Sequence, residues 1–192
     1  LTYSITGGVL PNGDTLTGVL STGATIGSGV GGYAITLGSL AAPANYAIDF
    51  TGSTLTILPR PITVIADARQ RIYGDANPAL SYSVGGLGLV NGDTLTGALA
   101  TSADARSNVG NYAIGQGTLA ASANYHVIGF TGADLAVTPR PLVIQANDLS
   151  RIYGNADPVL SYVANGLVNG DMLTGLLAGP GAGASVGSYA IG

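Results

Sequence analysis

The chain has 192 residues, of which only 8% are charged, whereas an average globular domain has about 25%. Every acidic residue is Asp and every basic residue is Arg, so the strong helix formers Glu and Lys are absent. The lack of cysteine excludes disulfides and thiolate metal sites, and the net charge of -4 argues against a nucleic-acid-binding surface.

The chain contains three copies of one sequence unit. Residues 12–18, Asn-Gly-Asp-Thr-Leu-Thr-Gly, return unchanged at residues 91–97 and with one substitution at residues 169–175. The Pro-Arg-Pro sequence at residues 59–61 returns eighty residues later, at residues 139–141. Self-similarity at a fixed period indicates a repeat architecture in which each copy folds in the same way.

Division at the Pro-Arg-Pro junctions gives one whole copy and two partial ones. We expect residues 1–60 to be a partial repeat without its N-terminal strand, and residues 61–140 to be a complete repeat. Residues 141–192 are expected to be a partial repeat without its C-terminal strands. Because β domains that lack strands leave edges unpaired, we expect the chain to be an ordered window on a longer chain or assembly.

The predicted elements of the whole repeat are short strands joined by turns. Apolar, β-branched or alternating segments predict strands in chain order at residues 62–67, 80–84, 111–120, 124–130 and 134–138. Asn91 and Gly92 form the dipeptide typical of a type I′ hairpin turn. No segment has the apolar period of a helix, and residues 103–107 are expected to form one helical turn at most.

About six or seven short strands in each copy, without a long amphipathic helix, predict an all-β fold. We expect small β-sandwich-like repeats, with a β-grasp-like topology as the alternative. Pro59 and Pro61 stand at the first junction, where no Gly/Ser linker is present. Two prolines hold such a connection extended, so the repeats are expected to be stiffly coupled end to end.

Four tyrosines, Tyr73, Tyr82, Tyr112 and Tyr125, occupy the whole repeat, and their counterparts recur in the partial repeats. Exposed aromatic rings at fixed positions would suit a sugar-binding surface. A core role is favoured, because a unit of this size without Trp or disulfides needs its aromatic rings for packing. Buried Tyr also usually finds a hydrogen-bond partner for its hydroxyl.

The residues that recur in the repeats do not include a set that catalysis requires. The single histidine, His126, is replaced by Ala47 in the first copy, so no Ser-His-Asp set can recur between repeats. Without Lys, no phosphate-binding loop with its lysine is possible. We therefore expect no enzymatic activity and no cofactor. Stability is expected to come from packing and from backbone hydrogen-bond ladders. An Arg–Asp pair, such as Arg71 with a turn Asp, would add only about 0–1 kcal/mol if it is exposed.

Oxygen-rich turns make Asp75, Asn77 and Asp93 the candidates for calcium ligands. The D-x-D-x-D-G spacing of calcium loops is absent, and turn carboxylates usually cap backbone amides instead. The prediction is therefore that the chain has no metal site. Gly, Ser, Thr or Asn interrupts every apolar run, so no membrane span is expected, and a secretion signal would lie outside these residues.

The ordered series of motifs resembles the MBG domain of the YGX type. It comprises Pro-Arg-Pro-Ile-Thr-Val-Ile-Ala-Asp at 59–67, Arg-Ile-Tyr-Gly-Asp at 71–75, Val-Asn-Gly-Asp at 90–93, Gly-Asn-Tyr-Ala-Ile at 110–114 and Phe-Thr-Gly at 130–132. Such domains occur in long arrays in secreted bacterial proteins, including filamentous-haemagglutinin-like adhesins. The resemblance implies an extracellular, adhesion-associated repeat protein, and it supplies neither a ligand nor a catalytic residue.

Three functions follow as hypotheses. The first is a structural segment of an adhesin or surface fibre on the bacterial cell surface, which acts as a stiff stalk or filament shaft. The second is an adhesive module that binds glycan or mucin and gains avidity from repetition. The third is a filament subunit that self-assembles by strand addition at an open edge such as residues 54–58. The expected partners are neighbouring repeats, other copies of the chain, or glycans.

Overall fold

A computed structural model describes residues 1–181 and 183–192. It is all-β, as predicted, and apart from a single 3₁₀ turn at Pro11–Gly13 its described residues contain no helix. No helix that could cross a membrane occurs among them. The strands are β1 Ser21–Thr22, β2 Gly31–Thr36, β3 Ser53–Ile57, β4 Arg60–Ala66, β5 Arg69–Ile72, β6 Tyr82–Gly86, β7 Ala100–Thr101, β8 Gly110–Gly115, β9 Tyr125–Thr131, β10 Ala133–Thr138, β11 Val143–Ala146 and β12 Tyr162–Asn165.

The first of two compact units is formed by Leu1–Ala66, Tyr82–Leu99 and Gln116–Thr131. It holds an antiparallel sheet of order β1-β2-β3 and a mixed sheet of order β6-β4-β9. In the mixed sheet β4 is antiparallel to β6 and parallel to β9. This unit therefore contains the first repeat together with part of the second.

The second compact unit is formed by Asp67–Ser81, Ala100–Gly115 and Gly132–Gly192. Its larger sheet has the order β5-β10-β8-β7, in which β10 is parallel to β5 and antiparallel to β8. Its smaller sheet is the antiparallel pair β11-β12. This unit contains the rest of the second repeat together with the third.

The whole repeat supplies seven strands, β4 to β10, which agrees with the predicted number. Strand β9 carries a bulge, because Ile62 lies opposite Val127 while the next residue, Thr63, lies opposite Gly129. Ile128 is the extra residue, and its side chain is exposed. The first repeat is one residue shorter at this place, so its sequence has no counterpart of the bulge.

The turn at Asn91 and Gly92 is confirmed, but the predicted hairpin is wrong. Both residues have positive φ, 57° and 77°, as a type I′ turn requires, and the Asp93 amide donates to the Val90 carbonyl. The residues on either side of the turn lie in no strand and do not pair with each other. Thr96 forms an isolated antiparallel bridge with Ala120 instead. The predicted strand 111–120 is also too long, since β8 ends at Gly115.

The apolar core lies almost entirely in the whole repeat. In the first unit it includes Ile62 and Val64 of β4, which are 0% and 2% exposed. In the second unit it includes Leu135 and Val137 of β10. These side chains alternate along their strands with exposed or half-buried ones, which is the period of two that a strand imposes. Leu40 is the one buried apolar residue outside this repeat among the described residues.

Candidate functional site at the repeat junctions

Arg60 fastens the first Pro-Arg-Pro junction within the first unit. Its Nε donates to the carbonyl oxygens of Leu87 and Gly88, at 3.1 and 2.9 Å, and Nη2 also donates to Leu87. Its backbone amide donates to the Asn124 carbonyl at 2.9 Å. Because only two residues separate β3 from β4, this arginine ties the end of the first repeat to the body of the second.

Arg140 occupies the same place at the second junction but has different partners. Between Gly166 and Asn169 the third repeat is two residues shorter than the second repeat is between Gly86 and Asn91, so the loop whose carbonyls accept from Arg60 is shorter there. Arg140 bonds to other residues of the second repeat: Nε donates to the Tyr73 carbonyl at 2.8 Å, and Nη2 pairs with Asp75. Both junction arginines thus donate to the second repeat, although the acceptors differ.

Arg71 is a buried arginine in β5, only 6% exposed. Its Nε donates to Asn77 Oδ1 at 2.8 Å, and its other nitrogens donate to the carbonyls of Ile72 and Asp104. The expected exposed pair between Arg71 and a turn Asp is therefore wrong, since the partner is the amide of Asn77. Removal of a buried donor leaves its acceptors without partners, so this residue fixes the local turns.

The ion pair that was expected at Arg71 is found at its counterpart, Arg151. There Asn77 is replaced by Asp157, whose Oδ1 accepts from Arg151 Nε at 2.6 Å. Arg151 Nη2 also donates to the Gly181 carbonyl at 2.8 Å, and Gly181 corresponds to Asp104. The arginine therefore links the same two turns in both repeats, but its side-chain acceptor is charged in the third repeat and neutral in the second.

A Tyr–Asp hydrogen bond recurs in the first two repeats. The Tyr125 hydroxyl donates to Asp93 Oδ2 at 2.6 Å, and the Tyr46 hydroxyl donates to Asp14 Oδ2 at 2.7 Å. The hydrogen bond to the Asp93 carboxylate raises the pKa of Tyr125 above its ordinary value of 10.0. The bond to Asp14 raises the pKa of Tyr46 in the same way. Each pair fixes an Asn-Gly-Asp turn onto a later segment of its repeat.

The remaining tyrosines of the whole repeat are half-buried. Tyr112 in β8 donates its hydroxyl to the Asn108 carbonyl at 2.9 Å. Tyr82 lies in β6, and Tyr73 lies in the turn after β5, where its carbonyl accepts from Arg140. Tyr125, at 8% exposed, is the one buried tyrosine among the described residues.

The candidate calcium ligands are engaged with other side chains. Asp75 accepts from Arg140, Asn77 accepts from Arg71, and Asp93 accepts from Tyr125. No group of three or more His, Asp or Glu residues that could hold a metal ion occurs among the described residues. His126 is exposed on β9, opposite Pro61 of β4.

Sequence reasoning missed the polar contacts that join one repeat to the next. Asn124 Oδ1 of the second repeat accepts from the Val30 amide of the first at 2.9 Å. In the second unit, Asn169 Nδ2 of the third repeat donates to the Ala105 carbonyl of the second at 3.3 Å. Both asparagines recur in another repeat, Asn124 as Asn45 and Asn169 as Asn91, but this recurrence does not indicate a partner across a junction.

Comparison with protein-family models finds one family along the whole chain. The model of the MBG domain (YGX type) matches three consecutive segments, residues 1–56, 62–136 and 142–192. The chain belongs to the MBG domain family of the YGX type. The resemblance of the motifs is thereby confirmed, and the Tyr-Gly pairs at 73–74 and 153–154 stand in consecutive MBG repeats. No curated protein and no solved structure matches the chain.

Proposed function

We propose that the chain is a structural segment of an extracellular bacterial adhesin or surface fibre and acts as a stiff stalk or filament shaft. The observation that carries this proposal is that each compact unit combines adjacent MBG repeats. Within each unit, hydrogen bonds join neighbouring repeats, between Val30 and Asn124 in the first unit and between Asn169 and Ala105 in the second. A segment built in this way transmits orientation from one repeat to the next.

The contacts at the junctions support stiffness. Each junction consists of a few residues that include two prolines, and proline fixes its own φ. At the second junction Arg140 donates to Tyr73 and Asp75 of the second repeat, and Asn169 of the third repeat donates to the Ala105 carbonyl of the second. At the first junction the Val30–Asn124 hydrogen bond joins the repeats again. Several independent contacts of this kind oppose bending at one hinge.

A surface location is part of the same proposal and is supported by composition and family. The chain avoids cysteine and lysine, presents polar Thr, Ser, Asn and Gly, and consists of tandem MBG repeats. We assign it no catalytic role, no nucleic-acid partner and no metal. Its proposed partners are the neighbouring repeats of the same chain.

Stiffness can be measured by pulsed dipolar spectroscopy, because the chain has no cysteine to interfere with site-specific spin labels. Labels at Gln70→Cys and Val163→Cys stand in the second and third repeats, on either side of the second junction. We expect a narrow distance distribution. The matched control inserts Gly-Gly-Ser between Pro141 and Leu142 and should broaden it, since such linkers behave as flexible coil. An equally broad distribution in the native chain would exclude the stiff-shaft role.

The location can be tested separately on intact producing cells. Brief treatment with an external protease should remove the segment while a cytoplasmic marker protein survives. If the segment is degraded only after the cells are lysed, the extracellular proposal fails, whatever the outcome of the spin-label measurement.

A further inference from the structure

The tip of the Asn-Gly-Asp turn in the whole repeat is exposed and makes no internal hydrogen bond. Asn91 and Gly92 form this tip, and both residues are exposed and have positive φ. Within the part of the chain that the structure describes, neither the Asn91 side-chain amide nor the Gly92 backbone amide has a hydrogen-bond partner. Both groups are therefore available for a reaction with each other.

The base of the same turn is held by one tyrosine. The Val90 amide donates to the Tyr125 hydroxyl at 3.1 Å, and this hydroxyl donates to Asp93 Oδ2 at 2.6 Å. The Asp93 amide donates to the Val90 carbonyl at 3.0 Å, which closes the turn. Because Tyr125 is only 8% exposed, its ring is fixed by packing. The turn thus combines a fixed base with a free tip.

An Asn-Gly dipeptide can lose its side-chain amide without an enzyme. The Gly92 nitrogen attacks Cγ of Asn91, so that a new C–N bond forms and the bond between Cγ and Nδ2 breaks. The amide proton of Gly92 leaves with Nδ2 as ammonia, and a succinimide ring remains. Water then opens the ring at either carbonyl and produces aspartate or isoaspartate. Glycine favours this attack because it has no Cβ to hinder the approach of its backbone.

The folded turn does not have the conformation that ring closure needs. In a succinimide, Cβ of the asparagine and the nitrogen of the glycine are eclipsed about the Cα–C bond. In the left-handed conformation, which the equivalent Asn12 shows with φ 58° and ψ 13°, these two atoms are far from eclipsed. Asn91 must therefore rotate out of the turn before it reacts. The reaction proceeds from a locally opened turn, whose population depends on the hydrogen bonds at the base.

We propose that Asn91 is a site of spontaneous deamidation, and that the hydrogen bond from Tyr125 to Asp93 controls its rate. Tyr125 touches none of the reacting atoms, so it is a positioning residue that keeps the turn closed. This inference goes beyond the shaft proposal, because it concerns a covalent change within one turn and not the stiffness of the chain.

The first repeat contains a matched second site. Asn12 and Gly13 are exposed, and the Asp14 amide donates to the Pro11 carbonyl at 3.1 Å. The Tyr46 hydroxyl donates to Asp14 Oδ2 at 2.7 Å, as its counterpart does in the second repeat. Both turns lie in the first compact unit. Unfolding of this unit exposes both sites together, whereas loss of one tyrosine hydroxyl should release only one turn.

The test follows both sites in one sample of the whole chain during incubation at mildly alkaline pH. Peptide mapping by mass spectrometry quantifies the deamidated product at Asn91 and at Asn12. Isoaspartate in the product identifies the succinimide route, since direct hydrolysis of the side-chain amide gives aspartate alone. The same chain in concentrated urea supplies the reference, and both sites should react faster there than in the folded chain.

Tyr125→Phe should raise the deamidation rate at Asn91 about tenfold, because the ring stays while a strong hydrogen bond to a carboxylate is lost. The rate at Asn12 in the same variant should stay unchanged. Tyr46→Phe is the matched control, and it should show the reverse pattern. If the circular dichroism of Tyr125→Phe shows that this variant does not fold, Asp93→Asn takes its place, since it weakens the same bond without altering the core.

Three results would overturn the proposal. The first is an equal rise at Asn91 and Asn12 in a folded Tyr125→Phe or Asp93→Asn variant, because control would then belong to the whole unit. The second is a rate at Asn91 that is the same in the folded chain and in urea. The third is the absence of product at Asn91 in the folded chain while the urea reference reacts. None of these results affects the spin-label test of the shaft.

Discussion

At the scale of single residues, equivalent positions carry different partners in different repeats. Arg71 donates to Asn77, whereas Arg151 donates to Asp157, because the turn exchanges its Asn and Asp between copies. The sequence predicts that an arginine bonds to this turn. It does not predict that Arg71 is buried, since the Asp104 carbonyl that accepts from it lies thirty-three residues away in the chain.

The Tyr–Asp pairs predict a loss of stability in alkali. Because the pKa values of Tyr46 and Tyr125 are raised above 10.0, their neutral hydroxyls stabilise the folded chain fully below about pH 10. This stabilisation is lost as the pH rises through the folded-state pKa. Urea unfolding between about pH 8 and pH 11 should show the loss, and both Tyr125→Phe and Asp93→Asn should make it smaller. An unchanged alkaline profile in both variants would contradict this origin.

Alanine substitutions at two glycines distinguish the free-energy cost of a strained backbone from the cost of a steric clash. Gly92 has φ +77° and open space where a Cβ would lie, so Gly92→Ala should cost about 1–2 kcal/mol of unfolding free energy from the left-handed backbone alone. Gly97 has φ +84°, and a Cβ there would lie 2.1 Å from the Thr118 carbonyl oxygen. Gly97→Ala should therefore cost about 1–3 kcal/mol more, measured by urea unfolding. Equal losses in the two variants would show that the contact relaxes freely.

At the scale of secondary-structure elements, equivalent residues of different repeats are buried to different extents. Leu135→Ala in β10 removes a fully buried side chain and should lower the free energy of unfolding by about 2–5 kcal/mol. Leu55→Ala, the same change at the open edge of β3, should cost about 1 kcal/mol or less. Urea denaturation of the two variants under conditions that keep the chain monomeric makes the comparison. A larger loss at Leu55 would mean that the edge is already covered.

Most strands of the whole repeat are predictable, because apolar alternation is a local signal. The strands near residues 62–67, 80–84, 124–130 and 134–138 appear as β4, β6, β9 and β10. Their pairing is not predictable in the same way, since the parallel partners β4 and β9 come from opposite ends of the repeat. The hairpin at Asn91 fails for a related reason: the turn is local, but its flanking residues find partners elsewhere.

At the scale of the whole molecule, compact structure and repeat boundaries do not coincide. The second MBG repeat contributes strands to both compact units, and each unit also contains a neighbouring MBG repeat. A cut at a Pro-Arg-Pro junction would therefore fall inside a compact unit. The recurring motifs reveal the repeats, but they carry no information about how packing groups their strands.

The low charge of the molecule predicts that its stability responds weakly to salt. Six Arg and ten Asp are spread over 192 residues, and two of the three ion pairs within the described part of the chain involve an Asp that is nearly half exposed. Raising sodium chloride from about 0.05 to 0.5 M should change the unfolding free energy by less than about 1 kcal/mol. Urea titrations at the two concentrations provide the measurement. A larger loss at high salt would assign the ion pairs a greater share of stability.

The parallel strand pairs also determine how a repeat responds to a pulling force. In the whole repeat the early strands β4 and β5 lie beside the late strands β9 and β10, each pair running in the same direction. When the two ends of a repeat are pulled apart, strands paired in this way slide lengthwise, so their hydrogen bonds must rupture together. A hairpin pulled from its open end instead unzips one bond at a time. Each such repeat would therefore resist unfolding when force is applied along the chain.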